Sequence, residues 1–78
     1  MRSQLFKDLL KKYKEDNENF KLSVCGREYR ITDVVNAIEI FRDVILGTKF
    51  DCNFSVSQDG SIIIAEISIF KNEDKEVI

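Results

Sequence analysis

The chain has 78 residues, 44% of them hydrophobic and 33% charged, with three glycines and no histidine, proline or tryptophan. This is the size and mixture of one globular domain, and it excludes collagen-like, low-complexity and disordered chains. With 12 basic and 14 acidic residues the formal net charge is −2, too near neutral for bulk attraction to nucleic acid or an anionic membrane.

The first residues, Met1 to Asp8, reach the Lys7/Asp8 charge pair before an apolar signal core can form, so no secretory leader is expected. A helix is expected over residues 2–15, with Ser3 as N-cap. Leu5, Phe6, Leu9, Leu10 and Tyr13 recur at the three- and four-residue spacing of one helix face. The run Glu15, Asp16, Asn17, Glu18 and Asn19 ends it, because carboxylates sit badly at a helix C-terminus.

Phe20, Leu22 and Val24 then alternate with Lys21, Ser23 and Cys25, which is strand periodicity. Gly26 and Arg27 suit a two-residue turn with glycine at its first central position. Such a hairpin would pair Val24 with Tyr29 and Leu22 with Ile31. Thr32 or Asp33 would cap a second helix running to Leu46, stopped by Gly47 in the left-handed conformation. Its polar strip is narrow: Asn36, Glu39 and Asp43, flanked by Asp33 and Arg42. A helix so apolar must be covered from two directions, by the sheet and by the first helix or a partner.

The final block alternates most strongly. Phe50, Cys52, Phe54 and Val56 interleave with Asp51, Asn53, Ser55 and Ser57, and Asp59 and Gly60 form a preferred hairpin dipeptide. A turn centred there would pair Val56 with Ile63, Phe54 with Ala65, Cys52 with Ile67 and Phe50 with Ile69. The order is then α-β-β-α-β-β. The expected fold is α+β, two helices on one face of a four-stranded antiparallel sheet. One domain spans residues 1–71, and the charged residues 72–78 form a flexible tail.

Chemistry is sparse. Absence of histidine removes the commonest acid–base group near neutral pH and the commonest metal ligand. The polar run from Asp51 to Gly60 resembles a calcium loop but has Val56 where glycine is needed and Ile62 where a bidentate glutamate belongs. Glu39 and Asp43 lie one turn apart and lack a third ligand. Cys25 and Cys52 fall on opposite sheet faces, which excludes a disulfide between them, and Cys25 has no partner base. No catalytic residue, metal or cofactor is expected.

The most informative feature is the last strand. If Ile63, Ala65, Ile67 and Ile69 face the helices, Ile62, Ile64 and Phe70 face outward, sharing that side with only Glu66 and Ser68. Contiguous exposed apolar surface marks binding sites. The expectation is a cytoplasmic, non-enzymatic protein-interaction module, self-associating as a homodimer or occupying a partner's surface. The binding residues would be Ile62, Ile64, Glu66 and Phe70, extended by Asp51 and Asn53. Size and lack of chemistry suit, by analogy, an inhibitor or adaptor of the kind viruses and mobile elements encode. The alternative is nucleic-acid binding through the basic face of the first helix, Lys7, Lys11, Lys12 and Lys14 with Arg2 nearby.

Overall fold

The computed structural model of the chain describes residues 4–16 and 18–77. Five elements follow one another: α1 (Gln4–Asp16), β1 (Phe20–Gly26), α2 (Ile31–Ile45), β2 (Phe50–Asp59) and β3 (Ile62–Lys71). The strands form one antiparallel sheet in the order β1-β3-β2, with the last strand at its centre. β1 and β2 therefore run in the same direction on either side of β3, and α2 carries the chain across from one edge to the other.

The class is α+β, but the sheet has three strands rather than the expected four. The first hairpin does not form. After Gly26 only residues 27–30 precede α2, and they are irregular. The reason is the cap. Arg30 is the N-cap residue, extended at φ −112° and ψ 152°, and its N–H donates to Asp33 Oδ2 at 3.2 Å. Asp33 thus works from the third helical position, where its charge also meets the helix dipole. The helix begins three residues earlier than a cap at Asp33 would allow, and it consumes Ile31. Too little chain remains for a second strand, so β1 pairs with β3 instead: Phe20 opposite Ile69, Leu22 opposite Ile67, Val24 opposite Ala65. Tyr29 still packs against the core, from the loop.

The second hairpin forms with its turn one residue later. Asp59 pairs with Ile62, so Gly60 and Ser61 are the central residues, and Gly60 takes φ +62° as a primed turn requires. Val56 therefore faces Ala65, Phe54 faces Ile67 and Cys52 faces Ile69, each shifted by two from the expected partner. A shift of two preserves the faces, which is why the alternation remains informative.

Both helices cover one side of the sheet. Phe20, Val24, Phe50, Cys52, Ile63, Ala65, Ile67 and Ile69 supply the strand half of the core. Leu5, Phe6 and Leu9 of α1 and Val34, Ala37, Ile38, Phe41 and Ile45 of α2 supply the helical half. Leu10 and Tyr13 pack at its margin, and the Tyr13 ring meets Phe41 and Phe50 edge-on at centroid distances of 5.7 and 5.2 Å. Fully burying side chains of this size is worth about 1.5–3 kcal/mol each. α2 ends as its sequence suggests, with Gly47 at φ +82° and the Ile45 carbonyl accepting from Thr48. Ser3, Arg2, Asn17 and Ile78, which entered the expectations for the α1 cap, basic face, helix stop and tail, lie outside the described residues. No helix among the described residues is long and apolar enough to cross a membrane.

Candidate functional site

The sheet face turned away from the helices is open. Along β3 it carries, in order, Ile62, Ile64, Glu66, Ser68 and Phe70. β1 adds Cys25 beside Ile64, Ser23 beside Glu66 and Lys21 beside Ser68. β2 adds Ser57 beside Ile64, Ser55 beside Glu66, Asn53 beside Ser68 and Asp51 beside Phe70. All six residues expected to bind a partner therefore share one face. Ile64 is the most open of the apolar ones at 46% exposure, while Ile62 and Phe70 are half-buried.

The surface is zoned rather than uniformly apolar. Ile62, Ile64 and the exposed thiol of Cys25 gather toward the hairpin tip. Phe70 stands six residues from Ile64, about 20 Å along the strand. Between them Glu66 forms an ion pair with Lys21 at 3.8 Å. Asn53, Ser55, Glu66 and Ser68 line one shallow depression here, and Asn19, Lys21, Ser68 and Phe70 line another. Asp51 is partly diverted, since its Oδ1 accepts the Cys52 N–H at 2.8 Å.

The basic face of α1 is partly neutralised. Lys11 lies 3.9 Å from Glu15 and Lys12 3.5 Å from Asp16, both at the i,i+4 spacing. Lys12 also sits 5.9 Å from the centre of the Phe20 ring. Lys7 and Lys14 remain exposed on the helix. Glu39 and Asp43 are exposed on α2, and no cluster of three or more metal-ligating side chains occurs among the described residues. Cys52 is buried under Arg42, whose Nε donates to Sγ at 3.3 Å.

The sequence reading did not find the feature that organises the β2 edge. The strand's outward-pointing backbone groups at its start are satisfied by side chains. Phe50 N–H donates to Thr48 Oγ1 at 3.1 Å, and its carbonyl accepts from Lys75 Nζ. Cys52 N–H donates to Asp51, and its carbonyl accepts from Arg42 Nη2 at 3.5 Å. Lys75 also donates to the Ile45 carbonyl at 2.9 Å, so the chain after β3 returns to the α2–β2 junction rather than over the open face. Asn72 N–H meets the Lys49 carbonyl at 2.7 Å, and Lys49 Nζ meets Glu73 at 2.8 Å. That hydrogen bond and the lysine charge hold the Glu73 carboxyl below its ordinary value. Each of these residues looks, in sequence, like a loop or tail polar group. Only the β1-β3-β2 strand order reveals that they cap an edge.

The sequence matches no protein-family model, and no similar curated protein or solved structure is found.

Proposed function

We propose that the protein is a non-enzymatic protein-binding module whose open sheet face receives another protein. The observation that carries this reading is Ile64, 46% exposed near the hairpin end of the central strand, with Ile62 and Cys25 close by. A central strand is where a sheet covered on both sides would bury its side chains, so exposure there leaves apolar surface for a partner. The polar zone around Glu66 and Lys21 would fix orientation, as charged rims do at interfaces. Such a module acts by occupancy, as an inhibitor or adaptor does. The exposed free thiol of Cys25 suits a reducing, cytoplasmic setting.

The test is retention of host proteins by immobilised wild type and by Ile64→Lys. Because Ile64 is exposed, the variant should keep its circular dichroism spectrum while losing the retained protein. Replacing Lys7, Lys11 and Lys14 by glutamine should change nothing. If Ile64→Lys retains the same proteins, the open face is not the binding surface. If instead nucleic acid is retained, with salt sensitivity and dependence on the three lysines, the module works through α1.

A further inference from the structure

The β2 edge is sealed along its first part and open along the rest. Backbone groups in an antiparallel strand point alternately to the two neighbours. Phe50 and Cys52 point away from β3, as their side-chain partners show. The register with β3 continues without a bulge, so Phe54, Val56 and Gln58 point away as well. Their N–H and carbonyl groups have no partner among the described residues. The sequence here, Asn53-Phe-Ser-Val-Ser-Gln58, contains no charge and no proline, which are the usual guards of an exposed edge. Phe54 is 37% exposed on the helix side of this stretch, with the Arg42 guanidinium 5.8 Å from its ring centre. The opposite edge of the sheet, β1, is shorter and carries Lys21.

We propose that this open stretch pairs antiparallel with the same stretch of a second copy, about a two-fold axis through Val56. The two sheets then join into one of six strands, β2 against β2 at its centre. Three features of the strand select that register. With Val56 opposite Val56, Phe54 meets Gln58 of the second copy and Gln58 meets its Phe54, so the pairing uses the unsatisfied groups and leaves the capped Phe50 and Cys52 untouched. On the open face Ser55 lies opposite Ser57 and Asn53 opposite Asp59, with no like charges facing. Moving the axis by one residue to Ser55 would oppose Asp51 to Asp59, and moving it to Phe54 would require the caps on Cys52 to break. The partner is a second copy because self-pairing about Val56 satisfies Phe54, Val56 and Gln58 together without breaking a cap, whereas an axis at Ser57 would set Phe54 against the turn residue Gly60. The open faces of both copies end on the same side, with the two β3 strands three strand spacings apart, about 14 Å. This goes beyond the proposed partner binding, since it uses the edge and not the face.

The test is the mass of the purified protein by light scattering across a micromolar-to-millimolar series. The expected result is a rise from 9.1 kDa toward twice that value. Ser55 and Ser57 are exposed, so charges there leave the fold intact. S55K combined with S57K sets lysines opposite each other across the axis and should hold the protein at the monomer mass. S55K combined with S57D sets lysine opposite aspartate and should restore the dimer. Val56→Pro, which removes an outward N–H and no bond to β3, should also give a monomer. Ile64→Lys should leave the dimer unchanged. A wild type that stays monomeric at millimolar concentration overturns the proposal. So does a dimer that survives the two lysines, or one that the lysine–aspartate pair fails to restore.

Discussion

Lys75 offers the sharpest test of how the end of the chain serves the fold. Its ammonium group reaches two carbonyls at once, Ile45 at the end of α2 and Phe50 at the start of β2. Lys75→Met keeps the length and apolar stem of the side chain and removes the charge. The Ile45 carbonyl retains Thr48 as a donor, through its N–H at 3.1 Å and its hydroxyl at 2.6 Å. The Phe50 carbonyl has no other donor among the described residues. The loss is therefore close to one hydrogen bond to a charged group, reduced by water reaching a half-buried site, plus the attraction of a cation for a helix C-terminus. Together these amount to about 1–2 kcal/mol. In a domain of this size that corresponds to a fall in Tm of about 5–15 °C. Urea unfolding followed by circular dichroism measures it, with Lys11→Met as the control. Among the described residues Lys11 makes only an exposed ion pair with Glu15, so the control should lose no more than about 0.5 kcal/mol. Equal midpoints for the two variants would show that the clasp contributes nothing.

Two further outcomes follow from the core and the clasp. Phe41 is fully buried and holds the Tyr13 ring edge-on, so Phe41→Ala should cost about 3–5 kcal/mol in chemical denaturation. In a small domain that is a large part of the total stability, and a loss under about 1 kcal/mol would contradict the packing. Glu73 has its folded pKa depressed below the ordinary 4.5 by Lys49. Its contribution is complete above the unfolded value and is lost as pH falls through the folded one. The Asn72 and Lys49 amide signals should therefore shift with the Glu73 carboxyl titration, below pH 4.5. A Glu73 titration at or above the ordinary value would refute the pairing.

Local signals in the sequence were informative where the pattern was long. The α1 face, the α2 stripe with its Gly47 stop, and the alternation of β2 and β3 all correspond to observed elements. The first hairpin failed because Gly26 and Arg27 look locally like a turn, whereas the competing partner of β1 lies some forty residues onward in β3. Asp33 contributed to the same error. A capping aspartate can stand at the N-cap or three residues inside it, and the sequence does not distinguish the two. The later hairpin shifted because Asp59 and Gly60, or Gly60 and Ser61, can both form its two-residue turn. The outward residues of β3 were readable from parity alone. Their division into an apolar tip and a polar middle was not, because it arises from the cross-strand neighbours Cys25, Lys21 and Ser55. The capped and open halves of the β2 edge depend on Arg42, Thr48 and Lys75, which meet only after folding.

Amide hydrogen exchange along β2, measured at low and at high protein concentration, tests the division of that edge most directly. Asn53, Ser55 and Ser57 bond to β3 and should be protected at both concentrations. Phe54, Val56 and Gln58 should exchange rapidly in dilute solution and become protected as the second copy pairs with them. Protection of these three amides already in the dilute monomer would contradict an open edge. Rapid exchange that persists in concentrated protein would contradict pairing through it.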